Sequence, residues 1–117
     1  MTALPETFTH YLAAWNETDT GLIRGHLDRA VTRDVLFVDP ANTTVGPDAM
    51  EEMIRTARTD LPGASYHRIG EADGHNGRFR YRWEVRVDGR AAVAGMDVTT
   101  VDTSGRIERI DGFFGEF

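Results

Sequence analysis

The sequence contains no lysine, cysteine or glutamine, and these absences exclude several classes of chemistry. Without lysine the chain has no Schiff-base residue and no Gly-Lys phosphate-binding loop. Without cysteine it has no thiol nucleophile, no disulfide and no thiolate ligand for zinc. Serine occurs only at Ser65 and Ser104, and neither lies in a nucleophile elbow, so nucleophilic serine catalysis is excluded as well.

Basic residues are also fewer than acidic ones: the sequence has 13 arginines and 19 acidic residues, which give a formal net charge of −6. This balance argues against binding to nucleic acid or to an anionic membrane surface and favours a small neutral or apolar ligand. No apolar run is long enough to span a membrane, and the N-terminus has no signal-peptide pattern. We therefore expect a cytoplasmic protein, and the arginine-only basic composition indicates a GC-rich, bacterial genome.

The length of 117 residues predicts one domain, 1–117, with a single modest core. The first half of the chain predicts three helices. Apolar residues at helical spacing predict the first helix, which ends near residues 16–19, and its stripe comprises Leu4, Phe8, Tyr11, Leu12 and Trp15. A weaker second helix is expected over 22–31. The third begins at 46–48, where a proline opens the first turn, and ends at 61–63.

Strands are predicted at 34–38, where Asp39 and Pro40 end an apolar run, and from Ser65 onward, where the hydrophobic period changes to two. Turn residues at 74–77, 88–89 and 102–105 divide the second region into four strands of a meander. The second of these strands alternates aromatic with charged residues. Helices followed by strands indicate an α+β fold, in which a curved antiparallel sheet closes over the helices as a cone with a pocket.

Several segments in this order resemble the nuclear transport factor 2-like superfamily, to which SnoaL-like polyketide cyclases and ketosteroid isomerases belong. They are Tyr-Leu-Ala-Ala-Trp-Asn at 11–16, Asp-Val-Leu-Phe-Val-Asp-Pro at 34–40, Gly-Pro-Asp-Ala-Met at 46–50, Ala-Gly-Met-Asp at 94–97 and Phe-Phe-Gly-Glu at 113–116. The resemblance covers nearly the whole chain. It implies a cystatin-like cone of three N-terminal helices and a curved, partly mixed sheet, dimerised through the outer sheet surface. It also implies a small hydrophobic ligand inside the cone.

The ketosteroid isomerases resemble this chain at individual positions as well. Tyr11 falls at their oxyanion-binding tyrosine, Asp39 at the general base, and Asp97 at the acid that stays protonated and donates to the enolate. Phe114 matches an aromatic residue of their pocket. The resemblance thus implies proton transfer next to a carbonyl without a cofactor, with Tyr11, Asp39 and Asp97 as catalytic residues.

The residues themselves are compatible with this chemistry but leave alternatives open. Proton transfer beside a carbonyl needs a carboxylate base and neutral donors aimed at the developing oxyanion. Both aspartates adjoin apolar segments, where burial would raise their pKa. Alternatively, Asp39 forms an Asx turn before Pro40, Asp97 pairs with Arg80 or Arg82, and Tyr11 only packs in the core.

The ligand expected in the pocket is a small apolar or carbonyl-containing molecule. The residues predicted to shape its site are Trp15, Met50, Met53, Ile54, Trp83 and Phe114. No metal site is predicted, because none of the four histidines shows ligand spacing. His67 is either an acid–base group in the pocket or a hydrogen-bonded structural histidine.

Three other functions remain open. A limonene epoxide hydrolase-like enzyme would need Arg80 or Arg82 in the pocket, yet both alternate with Phe79, Tyr81 and Trp83 and so share their face only if a bulge intervenes. A non-catalytic ligand-binding or dimerisation module would use the same carboxylates as satisfied polar groups. A protein partner would instead contact the charged sheet face at Arg80, Arg82 and Arg86.

Overall fold

The structure is a computed structural model that describes residues 3–117. Its helices are α1 (Thr7–Asn16), α2 (Ile23–Asp28), preceded by a 3₁₀ turn at Thr20–Leu22, and α3 (Pro47–Asp60). Its strands are β1 (Val31–Val38), β2 (Thr43–Val45), β3 (Ser65–His75), β4 (Arg78–Val87), β5 (Arg90–Val101) and β6 (Ile107–Phe114). The expected α+β class, with helices packed on one curved sheet, is confirmed.

The six strands form one sheet in the order β2-β1-β6-β5-β4-β3. The predicted meander is confirmed, since β3 to β6 pair with their sequence neighbours in antiparallel fashion. β1 joins β6 in parallel, so the sheet is mixed. Two hairpins turn at Asn76-Gly77 and Asp88-Gly89, where both central residues have positive φ (49° and 76°, 52° and 75°), as tight two-residue turns between twisted strands require.

The local structure differs from the sequence prediction in three places. The second helix ends at Asp28 instead of continuing to Val31, because β-branched Val31 opens β1 and pairs with Ile107 of β6. β2 was not predicted at all, since three residues are too few to show a period. The first helix also begins later than its apolar stripe, and Leu4 packs against the core from the segment before α1.

The start of α3 follows the prediction closely. Gly46 has a φ of 85°, Pro47 occupies the first turn, and Asp48 lies near the positive end of the helix dipole. The C-terminal end of α1 is tied to the sheet, because the Asn16 side chain donates to the backbone oxygen of Tyr66 (2.9 Å) and accepts from its backbone nitrogen (2.7 Å).

The sheet has two chemically different faces, which follow the alternation along β4. The inner face, toward the helices, carries Phe79, Tyr81, Trp83 and Val85, whereas Arg78, Arg80 and Arg82 lie exposed on the outer face. A shift of register in β3 between Ile69 and Asp73, and another between β4 and β5, bend the sheet around the helices. The core lies between the helices and the inner face, and one end of this layer stays open as a cavity.

Candidate active site

A cavity of about 190 Å³ lies between α1, the C-terminal half of α3 and the inner face of the sheet. Most of its wall is apolar. The polar and titratable side chains of its wall include Tyr11, Asp39, Arg68, Tyr81 and Asp97, which come from five different segments. An apolar cavity with a few convergent polar groups is the usual form of a small-molecule site.

Asp97 is the most deeply buried acid of the site, with 8% of its surface exposed. It pairs with Tyr81 in the β4–β5 register, so Tyr81 and Trp83 point to the same side as its carboxyl group. The Tyr81 hydroxyl donates to Oδ2 (3.1 Å) and the Trp83 indole N–H donates to Oδ1 (2.9 Å). The alternative ion pair with Arg80 or Arg82 is therefore not formed.

Burial raises the pKa of Asp97 to about 7, because desolvation penalises the charged carboxylate. The hydrogen bonds from Tyr81 and Trp83 oppose this shift, while the negative charge of Asp39 adds to it. Near neutral pH the site therefore holds a substantial fraction of protonated Asp97, which is a neutral hydrogen-bond donor.

Asp39 follows β1 and lies at the edge of the cavity. Its Oδ1 accepts hydrogen bonds from the backbone N–H groups of Ala41 (2.9 Å) and Asn42 (2.7 Å). The expected Asx turn is thus present, and the same side chain also lines the cavity. Within residues 3–117, Oδ2 has no hydrogen-bond partner and stays available to a ligand.

Gly112 separates the two aspartates. β6 runs between β1 and β5, and Gly112 is the register partner of Asp97. A Cβ atom at this position would lie 3.1 Å from the Cβ of Asp39 and 3.2 Å from Oδ1 of Asp97. The missing side chain leaves the space in which both carboxyl groups face the cavity.

Tyr11 approaches the site from α1 and is 4% exposed. Burial raises the pKa of its hydroxyl well above 10, and the charge of Asp97 raises it further, with Trp15 opposing and Asp39 adding. The pKa of Tyr81 is raised in the same way, chiefly by burial and then by Asp97. Both tyrosines are therefore neutral donors at physiological pH.

Four of the six predicted pocket residues line the cavity, namely Trp15, Met53, Trp83 and Phe114. Phe114 is 45% exposed at the mouth, where it packs edge-on against the Trp83 ring at a centroid distance of 6.0 Å. Met50 and Ile54 were placed wrongly. Both are fully buried in the core and do not reach the cavity, because the cavity takes the neighbouring side of α3, where Met53 and Ala57 lie one turn apart.

The polar and aromatic residues of the wall that sequence reasoning missed include Tyr66, Arg68 and Tyr81. Tyr66 and Arg68 pair with Val85 and Trp83 in the β3–β4 register, which places both on the inner face. Tyr81 stands on the aromatic side of β4, and its position opposite Asp97 is the signal that identifies it. That signal depends on the register of two strands, which the alternation alone does not give.

His67 lies on the strand segment that borders the cavity, and its register partner is Glu84. Its Nε2 is hydrogen-bonded to the Ser65 hydroxyl at 2.7 Å, as expected of a structural histidine. Arg80 and Arg82 lie on the outer face, where Arg80 pairs with Asp73 (3.0 Å) and Arg82 donates to the backbone oxygen of Phe117 (3.3 Å). Neither arginine enters the cavity.

Residues 3–117 contain neither a candidate metal cluster nor a helix that could span a membrane. No group of three or more histidine or acidic side chains in this range is placed to hold a metal ion. No helix in the same range has the length and hydropathy needed to cross a membrane.

A curved sheet wrapped over three helices, with an apolar cavity that contains the buried acid Asp97, defines a small-molecule-binding α+β cone. The family model of the SnoaL-like domain matches residues 8–110. The chain therefore belongs to the SnoaL-like domain family of the nuclear transport factor 2-like superfamily, as the resemblance implied. SnoaL-like domains bind small molecules.

Solved structures support the same assignment. A candidate isomerase of the SnoaL-like family from Agrobacterium tumefaciens is 33% identical, with a TM-score of 0.88 over 94% of this chain and 95% of that one. A candidate polyketide cyclase from Sinorhizobium meliloti (20% identity, TM-score 0.73, 93% and 94% covered) shares the fold. So does a nuclear transport factor 2-like protein of unknown function from Exiguobacterium (18%, 0.74, 95% and 99%). No curated protein matches the chain.

Proposed function

We propose that the protein is a cofactor-free isomerase or cyclase that transfers a proton next to the carbonyl group of a small molecule. Asp39 is the base that removes a proton from the carbon beside the carbonyl. The Tyr11 hydroxyl and the protonated Asp97 carboxyl donate hydrogen bonds to the oxygen as it becomes an enolate. The enolate then either takes the proton back at another carbon, which is isomerisation, or attacks an electrophilic carbon of the same molecule, which is cyclisation.

The observation that carries this proposal is the placement of two aspartates in different environments on either side of Gly112. Asp39 is partly exposed and its Oδ2 has no partner within residues 3–117, whereas Asp97 is buried with a pKa of about 7. A pair of carboxyl groups in unlike surroundings can divide the roles of base and acid. The candidate isomerase from Agrobacterium tumefaciens, which is similar over nearly the whole chain, supports the same class of reaction.

The epoxide hydrolase alternative has less support. It needs an arginine between two aspartates, but Gly112 occupies that position, and Arg80 and Arg82 lie on the other face of the sheet. The non-catalytic module keeps the same cavity and differs only in lacking turnover. Turnover, and not ligand binding, therefore distinguishes the proposed enzyme from the non-catalytic module.

The test is hydrogen–deuterium exchange at the α-carbon of small ketones and keto acids, followed by NMR in deuterated buffer. The wild type should accelerate exchange. Asp39→Asn should lower the exchange rate by about 100-fold or more and should still bind a phenol, which mimics the enolate. The matched control is Asp19→Asn, which makes the same substitution at the start of the 3₁₀ turn, remote from the cavity. If the wild type binds phenols but exchanges no substrate proton, the protein is the non-catalytic module and the proposed enzyme is contradicted.

We also propose that two copies of the chain associate through the outer face of the sheet. Val98 (36% exposed) and Phe113 (51% exposed) stand on this face near the half-buried Met96. Exposed apolar side chains grouped among arginines and acids are typical of protein interfaces. The expected partner is a second copy, and binding of a different protein through Arg80, Arg82 and Arg86 is the competing outcome.

A further inference from the structure

Arg68 is the one arginine within residues 3–117 that lines the cavity. It lies on β3 opposite Trp83, on the inner face of the sheet, and it is half-buried. Its guanidinium carbon lies 5.8 Å from the centroid of the Tyr81 ring, and its Nη1 donates to the backbone oxygen of Phe8 in α1 (2.9 Å). These two contacts fix the position of a positive charge in a largely apolar wall.

The charge of Arg68 has no acidic partner among residues 3–117. Most other arginines with buried or half-buried stems pair with acids, for example Arg55 with Glu51 and Arg86 with Glu84. The Arg68 side chain forms no ion pair with any carboxylate of residues 3–117, and the bond to Phe8 is the one hydrogen bond that this side chain makes there. A guanidinium has five N–H donors, so most of its donor capacity remains unused.

Arg58 provides a contrast within the same fold. It also lies over a tyrosine ring, that of Tyr66 at 5.7 Å, and it also lacks an acidic partner within residues 3–117. Its Nη1 donates to the backbone oxygens of Trp15 (2.7 Å) and Ala64 (3.1 Å), and it does not line the cavity. Arg58 thus joins α1, α3 and β3, whereas Arg68 presents its charge to the space that a ligand occupies.

The Tyr81 side chain connects Arg68 to the proposed catalytic acid. Arg68 lies over the face of the Tyr81 ring, and the hydroxyl at the end of that ring donates to Asp97. A ligand that lies along Tyr81 would therefore meet a cation beside the ring and the oxyanion donors near the hydroxyl end. Planar bidentate pairing makes arginine well suited to a carboxylate.

We propose that Arg68 binds a carboxylate of the ligand, so that the substrate is a small oxo acid and not a neutral ketone. This inference rests on the proposed function for the carbonyl end of the ligand and on Arg68 alone for the acid end. The acid group pairs with Arg68, and the carbonyl oxygen points to Tyr11 and Asp97. The ligand's negative charge is thereby held away from Asp39, which would repel it.

The test compares three fluorescent probes of one shape: 6-hydroxy-2-naphthoate, its methyl ester and 2-naphthol. The wild type should bind the acid at least about tenfold more tightly than the ester, which is about 1.4 kcal/mol. Arg68→Met should abolish this preference and leave the Kd of 2-naphthol unchanged. Arg80→Met, which removes an exposed arginine of the outer face, should keep the preference.

Equal Kd values for acid and ester in the wild type overturn the proposal, and this comparison needs no variant. A preference that persists in Arg68→Met overturns it as well, and Arg68→Gln replaces that variant if the methionine form does not fold. The α-proton exchange experiment tests the proposed enzyme and does not test the carboxylate site. An Arg68-dependent acid preference without any exchange would therefore contradict the proposed enzyme alone, and exchange of neutral ketones without acid preference would contradict the role of Arg68 alone.

Discussion

Tyr81 and Asp97 are direct neighbours across the β4–β5 pair, and the Tyr81 hydroxyl donates a 3.1 Å hydrogen bond to Oδ2 of Asp97. The Trp83 indole N–H donates to Oδ1, so both oxygens of this buried carboxyl group accept a hydrogen bond. The hydrogen bonds favour the charged carboxylate and burial favours the neutral acid, and the opposition leaves the pKa of Asp97 near neutrality, at about 7.

Removing the Tyr81 hydroxyl should shift this balance. In Tyr81→Phe one of the two bonds that stabilise the carboxylate is lost, so the pKa of Asp97 should rise further above its ordinary value. A carboxyl-resolved NMR titration measures the shift. Tyr66→Phe, which alters another tyrosine of the cavity wall that makes no hydrogen bond to Asp97, should leave the pKa unchanged. An unchanged pKa in Tyr81→Phe would show that this bond does not contribute.

Stability should fall as the pH rises from about 4 to about 7. The pKa of Asp97 is raised from 3.8 to about 7 on folding, so the folded state binds a proton more tightly than the unfolded chain. The resulting stabilisation is complete below the unfolded pKa and is lost as the pH passes through the folded pKa. About three pKa units correspond to on the order of 4 kcal/mol.

Asp97→Asn should remove most of this slope, because an amide does not titrate. Urea unfolding of both proteins at several pH values measures the effect, and the variant should exceed the wild type in stability above about pH 7. Glu17 and Asp102 have lowered pKa values, so their contributions change mainly at more acidic pH. A slope of equal size in Asp97→Asn would contradict the assignment.

Substitution of Gly112 should damage the site and the fold together. In Gly112→Ala the new methyl group meets Asp39 and Asp97 at 3.1 and 3.2 Å, which is closer than packed atoms normally approach. We expect a loss of about 1–3 kcal/mol in unfolding free energy and weaker phenol binding. Gly25→Ala, on α2 with open space around its Cβ position, is the matched control and should be neutral or stabilising.

Association through the outer face should depend on Phe113. Phe113→Asp places a charge among the apolar residues of β5 and β6, so the dimer should dissociate in sedimentation velocity experiments. Leu22→Asp changes an equally exposed apolar residue on the 3₁₀ turn and should leave the dimer intact. A monomeric wild type at high concentration would contradict the proposed self-association and favour a different partner.

Much of the fold is encoded locally. Several elements are specified within a few residues. The apolar stripes of α1 and α3 determine which side of each helix is buried, and backbone steric preferences place the proline after Gly46 and the two hairpin turns. The alternation along β4 also placed Arg80 and Arg82 on the face away from the helices. Tyr11, Asp39 and Asp97 were recognised from their resemblance to the isomerase motifs, and all three line one cavity.

Other features depend on contacts between distant segments, which no local pattern encodes. The parallel pairing of β1 with β6 puts Gly112 between Asp39 and Asp97, and the registers of β3, β4 and β5 bring Arg68, Tyr81 and Asp97 to the same wall. The same long-range packing decided which side of α3 meets the cavity, and thereby left Met50 and Ile54 in the core. Composition and period specify which residues are apolar and which elements form, whereas strand register and helix packing set the distances on which the site's pKa values and chemistry depend.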